Sequence, residues 1–151
     1  MKTKQFLSAT LTLGVALVTP FIARADTIYV SNYSNSTIAK FTQDGMGTIF
    51  ATSGLNGPTG LALDNEGNLY VANELTNNIL KFRPDGVGSV FASTGLYLPY
   101  GLAFDNAGNL YATNLGDSTI EKFTPDGTAS LFASTGLSVP VGLAFDHAGN
   151  L

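Results

Sequence analysis

The chain has 151 residues, a length that suits one domain, and 44% of them are hydrophobic, as in globular proteins. Charged residues make up 12%, about half the usual share. Cysteine is absent, which excludes a disulfide framework, a thiol nucleophile and a thiolate metal site. Eleven acidic residues outnumber seven basic ones, and this balance argues against binding to nucleic acid.

The first 25 residues have the pattern of a secretory signal peptide. Lys2 and Lys4 precede an apolar run over 6–18, and Ala-Arg-Ala at 23–25 matches an A-x-A cleavage site. The run is shorter than the ~20 apolar residues of a spanning helix, so cleavage is favoured over an uncleaved anchor. The pattern predicts a secreted or periplasmic (extracytoplasmic) protein without a membrane span after cleavage. Four basic residues then remain against 11 acidic ones, a net charge near −7.

The remainder, 26–151, is a tandem repeat. Residues 101–141 repeat 60–100 without a gap, and 24 of the 41 positions are identical. Residues 26–59 form a partial copy that lacks the opening GLAxD segment, and 142–151 begin a further copy. A fixed period near 40–45 residues indicates a repeat architecture.

Each copy contains four short apolar segments separated by turn residues. In the copy 60–100 we predict strand a over 60–64, strand b over 69–73, strand c over 78–83 and strand d over 89–93. Four short strands per unit of this length are typical of one β-propeller blade. The sequence therefore predicts an all-β fold, a partial β-propeller of about three four-stranded blades.

The repeated pattern Pro-x-Gly-Leu-Ala-Phe-Asp-x-x-Gly-Asn-Leu-Tyr, followed by Asn, Ile-x-Lys-Phe and Pro-Asp-Gly, resembles the NHL repeat. It is also similar to the six-bladed group that includes gluconolactonase and senescence-marker proteins. The resemblance implies that strand a lines a central channel, where Gly60 and Gly101 let inner strands crowd together. It also implies that aromatic side chains fill the space between blades: Tyr29, Tyr70, Tyr111, Phe41, Phe50, Phe82, Phe91, Phe123 and Phe132.

The chain opens at strand b of one copy and stops after strand a of another. Three blades are fewer than the four to eight of a closed propeller ring. Two interpretations remain open. Either the chain is a fragment of a longer polypeptide cut at Leu151, or two copies form a homodimer that completes a six-bladed ring.

An asparagine ends strand b in every copy and predicts a ligand site at the channel rim. The antiparallel order of strands a and b places these residues beside the Pro-x-Gly entries of strand a. Their amides could bind a sugar, another small polar ligand or a cation, or they could cap the turn after strand b. The candidate ligand-binding residues are Asn32, Asn73 and Asn114.

No catalytic or metal-binding residue is assigned from the sequence. No Ser–His–Asp set, phosphate loop or pair of catalytic carboxylates can be assembled. The repeated Asp64, Asp105 and Asp146 are interpreted as hairpin formers, and His147 occupies a turn position.

The favoured function is an exported binding or scaffold propeller without a cofactor, whose partner is a protein, a glycan or a small polar ligand. Uniform repeats favour it, because no polar residue was found that departs from the pattern. The alternative is a fragment of a metal-dependent lactonase or hydrolase. In the gluconolactonase-like group, Glu, Asn and Asp of different blades hold Ca²⁺ or another divalent cation, and the resemblance implies Asn114 as the matching position.

Overall fold

The computed structural model describes residues 27–151; the predicted signal peptide at 1–25 lies outside them. These residues form three antiparallel sheets that follow one another along the chain, which confirms the all-β prediction. Blade 1 contains β1 (Ile28–Asn32), β2 (Thr37–Phe41) and β3 (Gly47–Ala51). Blade 2 contains β4 (Pro58–Leu63), β5 (Leu69–Asn73), β6 (Asn78–Phe82) and β7 (Gly88–Ala92). Blade 3 contains β8 (Pro99–Phe104), β9 (Leu110–Asn114), β10 (Thr119–Phe123) and β11 (Ala129–Ala133).

A short 3-10 helix, Glu74–Thr76, follows β5 and is the one helical element among the described residues. Over the same residues no helix is long and apolar enough to cross a membrane.

An aspartate closes the hairpin between strands a and b in blades 2 and 3, as the sequence predicts. The Asp64 carboxylate accepts hydrogen bonds from the backbone N–H groups of Glu66 at 3.0 Å and Asn68 at 2.8 Å. The same bonds form at Asp105 and Asp146. These Asx turns fix the conformation of the loop, because the aspartate side chain accepts hydrogen bonds from loop N–H groups that have no partner in a neighbouring strand.

Blade 1 lacks strand a, in keeping with the missing GLAxD segment. At the other end of the array, residues 142–146 have the sequence of strand a but form no strand. They nevertheless lie against blade 3: the Thr113 hydroxyl donates to the Val141 carbonyl at 3.1 Å, and the rings of Tyr111 and Phe145 are 5.0 Å apart.

The inner strands approach one another closely, as predicted. A Cβ on Gly60 would lie 2.1 Å from the Tyr100 carbonyl oxygen, and one on Gly101 would lie 2.3 Å from the Val141 carbonyl oxygen. Only glycine fits where a neighbouring backbone is this near. The inner strands β4 and β8 and the segment at Val141 and Gly142 therefore lie side by side on one side of the molecule.

The hydrophobic core lies between consecutive blades. Tyr70 is 4% exposed, and its ring meets Phe91 of its own blade and Phe104 of the next blade edge-on, both at 4.9 Å. Such T-shaped pairs add to the stabilisation from burial alone. The predicted aromatic packing is therefore confirmed between blades 1 and 2 and between blades 2 and 3, but Phe132 is 49% exposed and Phe41 has no contact of this kind among those observed.

Candidate ligand site at the channel mouth

The rim geometry predicted for Asn73 and Asn114 is confirmed by the strand register, whereas Asn32 lies in blade 1, which has no strand a. Asn73 is the pairing partner of Pro58, and Asn114 is the pairing partner of Pro99. The end of strand b and the entry of strand a therefore meet at one rim of each four-stranded blade.

Asn73 and Asn114 are 0% and 1% exposed. The Asn73 amide donates to the Gly54 carbonyl at 2.9 Å and to Asn78 at 3.0 Å, and its oxygen accepts from the Asn56 backbone at 3.2 Å. One amide hydrogen and the amide oxygen thus hold the chain entering blade 2, and the other hydrogen binds the first residue of β6.

Asn114 makes the equivalent contacts in blade 3, to the Gly95 carbonyl at 2.9 Å, Thr119 at 3.0 Å and the Tyr97 N–H at 3.1 Å. Asn32 is partly exposed and donates to Thr37 at 3.0 Å. These internal bonds give the asparagines a structural role. Their contact with a ligand stays a prediction.

An open hollow of about 500 Å³ lies between the inner strands, beside this rim. Its walls include the inner-strand residues Thr59 and Tyr100, together with Tyr33 and Glu74, which follow strand b of blades 1 and 2. Glu74 lies close enough to Tyr33 for its negative charge to act on the Tyr33 hydroxyl. Desolvation first, and then the charge of Glu74, raise the pKa of Tyr33.

The side chains at this hollow differ between repeats. The position after the rim asparagine is occupied by Tyr33, Glu74 and Leu115, and the position before the inner-strand glycine by Thr59, Tyr100 and Val141. The expectation that no polar residue departs from the repeat was therefore wrong. Aligning the repeats and looking for positions where they differ would have revealed these positions from the sequence.

Hydroxyl groups join the inner strands beneath the hollow. Thr59 donates to the carbonyl oxygen of Pro99 at 3.1 Å, and Ser31 donates to that of Thr59 at 2.6 Å. Thr113 accepts from the Gly101 N–H at 2.7 Å. The Thr59 and Ser31 bonds cross from one blade to the next and hold the walls of the hollow at fixed positions, whereas the Thr113 bond lies within blade 3.

A second hollow, of about 510 Å³, opens between blades 2 and 3 at the opposite rim. Asp64, Glu66 and Asp105 lie there, and Lys81 is 3.6 Å from Asp64. Burial opposes ionisation of Asp64, but hydrogen bonds from Asn68 and Glu66 and the Lys81 charge outweigh it, so its pKa is lowered. Since Asp64 and Asp105 are engaged in their turns, this rim is the weaker candidate for a ligand site.

No protein-family model and no curated protein matches the sequence. Solved structures do resemble the chain. A chain of a nidogen/laminin complex is 29% identical with a TM-score of 0.73, over 80% of this chain and 48% of that chain. A gluconolactonase from Xanthomonas campestris is 23% identical with a TM-score of 0.71, over 84% and 49%. A virginiamycin B lyase from Staphylococcus aureus is 15% identical with a TM-score of 0.72, over 84% and 44%.

These neighbours are NHL/YVTN-type β-propeller proteins, and this chain shares their all-β propeller fold. The resemblance drawn from the repeat is thereby confirmed at the level of the fold. The chain spans just under half the length of each of these neighbours.

Proposed function

We propose that the chain is an exported binding module whose ligand enters the hollow at the channel mouth. The observation that carries the proposal is a contrast between two sets of equivalent positions in the repeats. Positions that pack between blades hold the same residue in each copy, whereas positions at the hollow hold different ones. Packing between equivalent blades needs equivalent residues, as at Tyr29, Tyr70 and Tyr111. An asymmetric ligand needs different groups around it, and the hollow has them.

The chemistry of the hollow favours a positively charged group. The Glu74 carboxylate is partly buried beside the ring of Tyr33, and Tyr100 contributes a second aromatic ring to the same wall. Carboxylates pair with cations, and aromatic faces attract them. The net negative charge of the chain acts in the same direction over longer distances. We therefore infer a protein partner that presents a lysine or arginine side chain. The fold neighbour crystallised in a nidogen/laminin complex supports a protein partner for a propeller of this kind.

The other blades supply variants for the test. Glu74→Leu and Tyr100→Val place at the hollow the residues that blade 3 carries at 115 and 141. Glu66→Ala, which copies Ala107, removes one negative charge at the opposite rim and is the matched control. Calorimetry would use a peptide containing lysine and arginine, its acetylated and citrulline-containing counterpart, and a neutral oligosaccharide.

We expect the basic peptide to bind to the unaltered chain. Glu74→Leu should weaken the affinity for the peptide at least about tenfold, as loss of a charged hydrogen bond implies. Glu66→Ala should leave the affinity nearly unchanged. Equal binding by Glu74→Leu and the unaltered chain would contradict the site. Tighter binding of the neutral oligosaccharide would contradict the ligand class.

The alternative, a metal-dependent lactonase or hydrolase, stays a prediction. Among residues 27–151 no group of three or more His, Cys, Asp or Glu side chains is placed to hold a metal ion. A thermal shift of the protein in Ca²⁺, Mg²⁺ or Zn²⁺, reversed by a chelator, would favour this alternative. Export is tested separately, by the mass of the protein recovered outside the cytoplasm. Cleavage after Ala25 would give a chain that begins at Asp26.

A further inference from the structure

Blade 2 carries exposed apolar side chains at the rim beside the hollow. Leu75, in the short 3-10 helix after β5, is 53% exposed, and Tyr97, in the loop between β7 and β8, is 52% exposed. Blades 1 and 3 pack on the two sides of blade 2. Both side chains therefore face solvent although the neighbouring blades are in place.

The packing of the blades does not require an apolar residue at either position. The other copies have small or polar residues there, namely Ser34 and Gly116 in place of Leu75, and Asn56 and Ser138 in place of Tyr97. A loop on the surface is ordinarily polar, as in these copies. The two apolar side chains are thus a property of blade 2 and not of the repeat.

The exposed side chains belong to one continuous part of the rim. A Cβ on Gly57 would lie 2.9 Å from the Leu75 side chain and 3.1 Å from the Tyr33 ring, so these two side chains meet above Gly57. The Leu98 N–H donates to the Asn77 side chain at 2.7 Å, which holds the loop before β8 against the loop after β5. Contiguous apolar surface of this kind marks interaction sites, whereas scattered apolar residues do not.

We call Tyr33, Leu75 and Tyr97 the apolar rim. The charges around it are negative, since Glu74 and Asp117 lie in the loops that follow strand b. The lysines and arginine of residues 27–151 lie at the other end of strand c, toward the opposite rim: Lys40, Lys81, Arg83 and Lys122. A partner that fits this surface therefore combines apolar groups with positive charge.

We propose that the apolar rim is a docking surface for a protein segment in which a lysine or arginine is flanked by apolar side chains. The inference rests on the proposed function, because it names the neighbours of the basic side chain that enters the hollow. An ion pair at a surface adds little affinity by itself, so burial of Leu75 and Tyr97 supplies most of the binding free energy. Tyrosine is also among the residues that most often dominate protein interfaces.

The repeat supplies variants that change the apolar rim without altering the blade. Leu75→Ser combined with Tyr97→Asn places in blade 2 the residues that other copies have at 34 and 56. Val87→Thr is the matched control. Val87 is 55% exposed in the turn between β6 and β7 at the opposite rim, and its counterpart in blade 3 is Thr128.

The test compares two peptides of equal length and equal charge by calorimetry. Each has one lysine, which is flanked by leucine and phenylalanine in the first peptide and by serine and glycine in the second. We expect the unaltered chain to bind the first peptide at least about tenfold more tightly, as burial of one large apolar side chain implies. The double variant should lose this preference but keep its affinity for the second peptide, and Val87→Thr should keep both.

Glu74→Leu separates this inference from the proposed function. It should weaken the affinity for both peptides by a similar factor, because both carry the lysine. If Glu74→Leu weakens both but the preference for the first peptide persists in the double variant, the apolar rim is refuted and the proposed function stands. If Glu74→Leu changes neither affinity, the proposed function fails, whatever the double variant does.

Other occupants of the apolar rim give different results. Binding of the unaltered chain to phosphatidylcholine vesicles that is lost in the double variant would assign the surface to lipid and overturn the proposal. Self-association without peptide, seen by light scattering and lost in the double variant, would assign it to a second copy and overturn it as well. A chain that shows neither and prefers the first peptide supports the proposal.

Discussion

Blades 2 and 3 share most of their sequence, but at one interior pair of positions two apolar side chains are replaced by a small one and a charged one. In blade 2 the cross-strand partners Val71 and Leu80 pack in the core against blade 1. In blade 3 the same positions hold Ala112 and Glu121. Both pairs lie on the face that meets the preceding blade, so a carboxylate in blade 3 occupies the position of a leucine in blade 2.

The exchange shows that the blade interface accepts a polar group when the opposite side chain shrinks. Glu121 is 9% exposed, and its carboxylate lies beside the backbone of Gly95. Burial first, and then the charge of Asp117, raise the pKa of Glu121. The folded state therefore holds this proton more tightly than the unfolded chain does.

The largest expected effect comes from moving the glutamate into blade 2. Leu80→Glu buries a charge opposite Val71, which leaves less room than Ala112 does, and it removes a side chain that is 5% exposed. We expect a loss of about 3–5 kcal/mol in the free energy of unfolding. Urea denaturation at neutral pH measures it.

Val90→Glu is the matched control for this substitution, because Val90 is the cross-strand neighbour of Leu80 and is 59% exposed. We expect a change within about 0.5 kcal/mol. If both variants lose a similar free energy of unfolding, burial of the charge is not the cause of the loss in Leu80→Glu.

A smaller effect is expected at the inner strands, where the two blades are alike. Gly60→Ala places a methyl group 2.1 Å from the Tyr100 carbonyl oxygen, so the neighbouring strand must move. We expect a loss of about 1–3 kcal/mol, as for other overpacked sites. Thermal unfolding, followed by circular dichroism, measures it.

Gly142→Ala provides the control, since nothing lies within 4 Å of a Cβ at that position. Its melting temperature should stay near that of the unaltered chain. An equal drop for both glycines would refute close approach as the cause.

The smallest effect is expected when Glu121 is replaced. Glu121→Leu restores the residue of blade 2 and should stabilise the chain at neutral pH by about 1–2 kcal/mol. Because the folded pKa is raised, the contribution of Glu121 to the stability of the unaltered chain should be fully present below the ordinary pKa of glutamate and be lost as pH rises through the folded value.

Glu121→Gln should remove this part of the pH dependence while keeping the shape of the side chain. Urea denaturation at several pH values tests it. An unchanged pH profile in Glu121→Gln would assign the dependence to other groups.

Much of the fold follows from the sequence, because the repeat reports its own register. Strand b was predicted at residues 69–73 and is observed there. Strand a begins two residues earlier than predicted, since Pro58 pairs with Asn73 and a bulge follows before Leu61. Asp64 and its counterparts were assigned to turns correctly, because an Asx turn depends on residues within four positions of one another.

The candidate site was less accessible to sequence reasoning. The rim asparagines were placed correctly, but their bonds to Gly54 and Asn56 depend on how the incoming loop folds back. Tyr33 and Glu74 are 41 residues apart, and Glu74 and Tyr100 are 26 residues apart. These three residues line one hollow only because consecutive blades pack side by side.

The amino-acid sequence by itself determined the blade, its period, its turns and its buried aromatic residues, because strands and turns respond to neighbours a few residues away. Only the tertiary structure decided which side chains share the hollow, which asparagine amides are already engaged, and that Glu121 is buried. Those outcomes depend on contacts between blades. The 41-residue period predicts that such contacts exist, but it does not specify the distances between the side chains involved.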